Sequence, residues 1–147
     1  MNEPAILTAL KTALQNSSDL SSVADTNIHI GEISNITTYP VIVIKPGVST
    51  KVRDVYPFEE WRMTVSVIFA LKVFDETKQI VGDVNIKGIK DFDNDVRKAL
   101  SADHTLGGAA LNVTIVESLP DDGSDYPVRG FVLTVEILYK QNRTTRE

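Results

Sequence analysis

The stretch that decides the fold is Trp61–Val73, which reads WRMTVSVIFALKV. Every second residue of this stretch is apolar, and most of the residues between them are polar or small. Since successive side chains of a strand point to opposite faces, the pattern predicts one long strand with one face on the core. Its thirteen residues would extend for about 40 Å, and the usual strand has only about five or six residues. We therefore expect this strand to pair beyond a minimal domain.

Weaker strand signals precede this stretch. Val41–Ile44 is a run of β-branched residues that follows Tyr39-Pro40, and it predicts a short strand buried on both faces. Asn27–Ile33 alternates weakly and predicts another strand. The polar segment Val48–Phe58, which contains Pro57, is interpreted as a long hairpin loop.

The last third of the chain predicts an antiparallel hairpin. Apolar residues alternate over Leu111–Ile115 and again over Phe131–Tyr139. Between them stands Pro120-Asp121-Asp122-Gly123, whose residue types favour a turn. The hairpin tip is thus expected at these four residues.

Two helices complete the predicted fold. Apolar residues recur at helical spacing over Ile6–Leu14 and Ile86–Leu100, and Asp83 is a candidate N-cap for the second helix. The sequence therefore predicts an α+β fold, a mainly antiparallel sheet with two helices packed on one face, in the order α-β-β-β-α-β-β. We expect residues 1–140 to form a single domain and residues 141–147 to form a short C-terminal tail.

Composition narrows the classes of function. The 147 residues carry a net charge of −5 and contain no Cys, so there is no thiol nucleophile and no Cys-based zinc site. Proteins that grip nucleic acid broadly by its phosphates usually have the opposite charge balance. The most apolar stretch, Val65–Leu71, is far shorter than the roughly 20 residues that a membrane helix needs, so no membrane partner is expected.

No set of residues predicts catalysis or metal binding. The two histidines, His29 and His104, lie outside any known triad motif. The run Asp91–Asp95 spaces its carboxylates like the start of a calcium loop, but Val96 and Ala102 stand where that loop needs Gly and Glu. We therefore expect no catalytic, metal-binding or cofactor-binding residues and no cofactor. A small α+β enzyme that uses scattered carboxylates stays as the alternative from another class.

The whole layout resembles the tail terminator, or tail-completion, proteins of long-tailed bacteriophages. The resemblance runs from about residue 4 to residue 140. The features that carry it are the helix Ile6–Leu14, Tyr39-Pro40 before Val41–Ile44, the strand Trp61–Val73, the helix Ile86–Leu100, and the hairpin of Leu111–Leu119 with Phe131–Tyr139 around Tyr126-Pro127-Val128-Arg129-Gly130.

The resemblance implies a structural virion protein rather than an enzyme. Such proteins form a hexameric ring on the finished tail tube, stop tube growth and give the head a docking surface. The implied partners are other copies of the chain, the tail tube protein, a head-completion or neck protein, and double-stranded DNA that passes through without specific binding. The implied location is the head-proximal end of the tail in the virion, and the host cytoplasm during assembly. Another head–tail neck or connector protein stays as the alternative.

Two groups of residues are the candidate contacts in such a ring. Long loops are often functional, so Arg53, Asp54 and Tyr56 in Val48–Phe58 are expected to contact the tube or a neighbouring subunit. Asp121, Asp122 and Asp125 are the candidate lumen-facing residues at the hairpin tip, which can point to the lumen or to the rim of a closed ring; in the lumen, their charge would repel DNA evenly. The alternatives are a mobile surface loop for the first group and a solvated turn for the second.

Overall fold

A computed structural model describes residues 3–31, 36, 38–121 and 123–144. The helices and strands follow in a simple order along the chain. They are α1 (Glu3–Gln15), β1 (Ile28–Ile30), β2 (Val41–Val55), β3 (Phe58–Lys72), α2 (Glu76–Val81), α3 (Ile89–Ser101), β4 (Asn112–Pro120) and β5 (Val128–Asn142).

The strands form a five-stranded sheet in the order β1-β2-β3-β5-β4. The short strand β1 runs parallel to β2, and the other neighbours are antiparallel. This confirms the predicted α+β class and the predicted C-terminal hairpin of β4 and β5. Helix α2 is an addition to the predicted order, with only six residues.

The core lies between one face of the sheet and helices α1 and α3. In β3 the alternating residues from Met63 to Phe69 are fully buried, while the residues between them are partly exposed. Phe69 stacks on Phe92 of α3, with ring centres 4.6 Å apart. Leu10 of α1 is buried in the same core. The alternation of Trp61–Val73 is thus confirmed as the pattern of a strand with one face on the core.

The interpretation of Val48–Phe58 as a loop is wrong, because β2 continues through this segment to Val55 and pairs with β3. The register shifts between Pro46 and Ser49 and again between Lys51 and Arg53. Each shift interrupts the alternation of side chains, so a paired strand with an exposed, polar composition looks like a loop in the sequence. The turn is only the dipeptide Tyr56-Pro57, with a cis peptide bond.

Asp83 does not cap the second long helix, which begins at Ile89 after Gly88. Its carboxylate instead accepts hydrogen bonds from the backbone N–H groups of Asn85 (2.8 Å) and Ile86 (3.0 Å). These bonds hold the pKa of Asp83 below its ordinary value. Asp side chains can hydrogen-bond to nearby backbone N–H groups and so stabilise a local turn instead of a helix. At Asp83 the chain forms such a turn.

Strand β5 continues to Asn142, two residues into the segment assigned to the C-terminal tail. Gln141 pairs with Glu59 and Asn142 pairs with Phe58. The backbone N–H of Arg143 then donates to the carbonyl of Pro57 at 2.7 Å. The chain thus stays attached to the sheet as far as the β2–β3 turn.

A buried tyrosine fastens the start of α1 to the sheet. The Tyr139 hydroxyl on β5 donates to the Glu3 carboxylate at 2.8 Å, and Ser49 on β2 donates to the same oxygen. Tyr139 is only 3% exposed. Burial, and then the anionic acceptor, raise the pKa of this phenol well above its ordinary value.

We predict that Tyr139→Phe lowers the free energy of unfolding by about 1–2 kcal/mol near neutral pH, because Glu3 loses a hydrogen bond in a partly buried place. Above a pH of about 10 the unfolded phenol ionises while the folded one keeps its proton, so wild-type stability falls as the pH rises. Tyr139→Phe has no phenol at this position, so its free energy of unfolding should fall less over this pH range. Urea unfolding between pH 7 and about pH 11 measures both effects, with Tyr126→Phe as the control. Equal alkaline slopes for Tyr139→Phe and wild type would contradict the assignment.

Candidate functional site

The β2–β3 hairpin extends past the rest of the sheet as an arm, which we define as residues 51–61 together with residues 139–142 of β5. Strand β4 pairs with β5 only as far as Leu138 of β5, which lies opposite Asn112. Leu138 also pairs with Arg62 of β3, and beyond Arg62 the arm continues for four more residues of β3, as far as Phe58. At about 3.3 Å per residue this is an extension of about 13 Å. The arm carries all three predicted contact residues, Arg53, Asp54 and Tyr56.

Arg53 is held on one face of the arm by Glu60. The guanidinium donates to the two carboxylate oxygens at 2.7 and 3.1 Å. The hydrogen bonds and the opposite charge raise the pKa of Arg53 and lower the pKa of Glu60, so both stay charged. On the same sheet face the Lys140 ammonium lies 4.2 Å from the centre of the Phe58 ring. Such exposed contacts add little to stability, but they fix the positions of the arm's side chains.

Asp54 links the arm part of β2 to the residue that follows β5. Its carboxylate contacts the Lys51 ammonium at 3.2 Å and the Arg143 guanidinium at 3.0 Å. Tyr56 at the tip is 72% exposed, and the Arg143 guanidinium lies 6.0 Å from the centre of its ring. Of the three predicted contact residues, Arg53 and Asp54 are therefore engaged within the chain, and Tyr56 presents a large side chain to solvent.

The acidic turn lies between β4 and β5. The backbone N–H of Asp121 donates to Gly130 at 2.9 Å, and its carboxylate accepts from the N–H of Gly123 at 2.8 Å. Asp125 is exposed, and its carbonyl accepts from the N–H of Val128 at 2.9 Å. Asp122 lies outside the described residues. Asp121 and Asp125 are therefore near the tip of the hairpin, as the sequence predicts.

A buried glutamine fastens helix α2 beside this turn. Gln79 is fully buried, and its amide nitrogen donates to the Pro127 carbonyl at 2.6 Å. Its amide oxygen accepts from the Arg129 guanidinium at 3.0 Å, and Arg129 also pairs with Glu76 at 3.4 Å. The sequence does not predict this residue, because nothing in a short polar segment indicates that one amide side chain is buried.

Large apolar side chains are exposed at the same end of the sheet. Val84 is 99% exposed on the turn that Asp83 stabilises, Phe74 is exposed two residues before α2, and Val81 is exposed at the last residue of α2. Tyr126 is exposed in the acidic turn. We call these four residues the end patch. Grouped apolar residues on a surface are typical of protein contacts, and this group lies on turns held by hydrogen bonds.

The arm and the acidic turn lie at opposite ends of the longest strands. Phe58 pairs with Asn142 at the arm end, and Lys72 pairs with Val128 at the other end of the same ladder. The fifteen residues of β3 separate the two ends by about 46 Å. The structure therefore does not bring the two predicted groups together; it presents two separate surfaces.

Within the described residues, no group of three or more His, Asp or Glu side chains is arranged to hold a metal ion. His29 contacts the Asn27 side chain at 3.3 Å. No helix in the described part of the chain is long and apolar enough to cross a membrane.

Comparisons with known proteins give a likeness of fold. No model of a known protein family matches the chain, and no curated protein does. A chain from the virion of a native gene transfer agent particle matches with a TM-score of 0.59 over 92% of this chain and 94% of that chain. The two sequences are 7% identical, so the match shows that this chain shares the fold of a virion component.

We predict that Gln79→Leu lowers the free energy of unfolding by about 1–3 kcal/mol, because the Pro127 carbonyl and the Arg129 guanidinium each lose a buried partner. Lys78→Ala is the matched control, since it removes only an exposed pair with Asp83 and should cost less than about 1 kcal/mol. Urea unfolding measures both variants. Equal losses in the two would show that the Gln79 bonds do not hold this end together.

Proposed function

We propose that this protein is a structural virion protein of a phage or phage-like particle that forms a ring on the tail tube. The observation that carries the proposal is the shared fold with a virion chain over nearly the full length of both chains. The resemblance to tail terminators supports the more specific role. The ring, a hexamer, ends tube growth and gives the head its docking surface at the head-proximal end of the tail.

The two separate ends of the sheet suit a protein that joins two different structures. The arm offers an exposed aromatic residue among paired charges, and the end patch offers apolar residues beside an acidic turn. In our proposal the arm contacts the tail tube or a neighbouring subunit through Tyr56, with Arg53 and Asp54 beside it. The end patch contacts the head-completion or neck protein.

DNA passage gives the acidic turn its role in the proposal. Asp121, Asp122 and Asp125 of each subunit face the lumen and form a negative collar. In a confined channel such charge is screened less than on an open surface. The collar repels the DNA phosphates from the wall, so double-stranded DNA passes without being held.

We predict that replacing residues 52–60 by an Asn-Gly turn between Lys51 and Trp61 leaves a folded protein that no longer limits tube length. Lys51 and Trp61 are paired partners, so a two-residue turn can close the shortened hairpin. The measurement is the length distribution of tail tubes assembled with each variant, seen by electron microscopy.

Tyr56→Ala is the finer test of the arm, and Tyr126→Ala is its matched control, since Tyr126 is also an exposed tyrosine before a cis proline. We expect overlong tubes with Tyr56→Ala and normal lengths with Tyr126→Ala. Binding of wild-type protein to finished tails without any effect on tube growth would instead favour a neck or connector protein.

We predict that Asp122→Lys with Asp125→Lys creates DNA binding that weakens as salt rises and slows DNA ejection, while assembly stays intact. Asp121 is left unchanged because its carboxylate holds the turn. Asp25→Lys, at an exposed acid outside the turn, is the control and should change neither property. Normal ejection with no DNA binding at low salt would identify the turn as a solvated surface only.

A further inference from the structure

The helix layer carries an open groove on its outer side. It lies between α1 and the C-terminal half of α3, and its volume is about 970 Å³. Small and apolar side chains line most of it: Ala5, Ala9, Ala13, Ala99, Ala102 and Leu106.

The face of α1 in this groove carries no charged side chain. The hydroxyls of Thr8 and Thr12 donate to the carbonyls of Pro4 (2.9 Å) and Thr8 (3.0 Å) within the helix. Each hydroxyl has therefore used its one donor within the helix, so a partner need not supply an acceptor for it. The helix has only two charged residues, Glu3 and Lys11, and neither lines the groove. A surface helix normally carries charged residues on its outer face, so this face is suited to a close protein contact.

The charged side chains that line the groove sum to a net negative charge. The last turn of α1 has no basic residue to offset its carbonyl groups. Asp19 and Asp103 also line the groove, against one cation, Lys98, which pairs with Asp19 at 3.1 Å. Hydrogen bonds from Thr105 and Gly107 lower the pKa of Asp103 and keep it ionised.

The sheet edges are poor places for a subunit contact. The edge strand β1 has only three residues, β2 contains Pro46 and two register shifts against β3, and β4 has a register shift between Ile115 and Glu117 against β5. Proline and bulges are devices that stop edge strands from pairing with another chain. A contact between copies is therefore more favourable through side chains than through strand pairing.

The arm complements the groove in shape and in charge, because it protrudes and has an excess of cations. It ends in Tyr56, and ion pairs join the side chains behind the tip, Arg53 with Glu60 and Arg143 with Asp54. Its cations outnumber its anions by four to three when Arg143 is included: Lys51, Arg53, Lys140 and Arg143 against Asp54, Glu59 and Glu60. Exposed aromatic residues on rigid supports are typical centres of protein contacts.

We propose that the groove between α1 and α3 receives the arm tip of a second copy, with Tyr56 against the alanines and the arm's cations facing Asp19 and Asp103. The contact is head to tail, because the arm and the groove are different surfaces of the same chain. Repeated contacts of this kind close into a ring when the rotation allows it. The inference rests on the proposed ring and names the two surfaces that build it.

The absence of cysteine from the chain makes disulfide trapping a direct test. Tyr56→Cys and Thr8→Cys are made as separate proteins, mixed and oxidised. A disulfide needs Cα atoms within about 7 Å, so a cross-linked heterodimer forms only if the tip lies in the groove. The control mixture is Tyr126→Cys with Thr8→Cys. We expect a cross-link in the first mixture and none in the second.

A second variant fills the groove without touching the core. Ala5→Arg replaces an exposed residue of the groove, and Ala24→Arg replaces an exposed alanine outside it. Native mass spectrometry should show self-association weakened about tenfold or more by Ala5→Arg and unchanged by Ala24→Arg. Oligomers that survive Ala5→Arg and give no cross-link overturn the proposal, as does a chain that stays monomeric at its highest soluble concentration.

The readouts separate this inference from the proposed function. If the wild-type protein limits tube length and the mixture of Tyr56→Cys and Thr8→Cys gives no cross-link on the tubes, the groove contact alone is overturned. Cross-linked rings that neither bind tubes nor change their length support the contact and count against the tail-capping role.

Discussion

The structure depends on one long pairing, the antiparallel ladder between Phe58–Lys72 and Val128–Asn142, which keeps its register over all fifteen residues of each strand. Because side chains alternate across the ladder, one of its faces is apolar, and both long helices pack on that face. Because the ladder is longer than the helix layer needs, its two ends extend past β4 and α1. The same pairing therefore builds the core and holds the two candidate contact surfaces apart.

At each end of the apolar layer a buried polar group forms the boundary. Tyr139 and Glu3 meet at the arm side, and Gln79 meets the Pro127 carbonyl at the other side. Buried polar groups cost free energy unless they are paired, so each bond fixes where its helix sits on the sheet. Past these boundaries the side chains are held by ion pairs and turns, which can change without disturbing the core.

The sequence predicted the parts of the fold that have a local period. Two local patterns could be predicted from the sequence, the alternation of Trp61–Val73 and the apolar stripe of Ile6–Leu14, because each residue's position in them depends on its near neighbours. The arm was misread because two register shifts and a polar composition hide its pairing. The burial of Gln79 was invisible because its partner Pro127 is 48 residues away. Among the candidate contact residues, the sequence predicted Tyr56 only as a contact residue of a long loop, and it showed neither its place at the β2–β3 turn nor the ion pairs that engage Arg53 and Asp54.

The difference between the periodic core of the sheet and the ends of the ladder explains how two chains can share a fold at 7% identity. A strand face needs apolar residues of about the right size at every second position, and many sequences meet that need. The ends of the ladder are under no such constraint from the core, so their residues can follow whatever surface they contact. Specific partners are thus expected to be encoded in the arm, the acidic turn, the end patch and the groove rather than in the sheet. A search for relatives by sequence then finds little in common, while a comparison of structures finds the sheet and its helices.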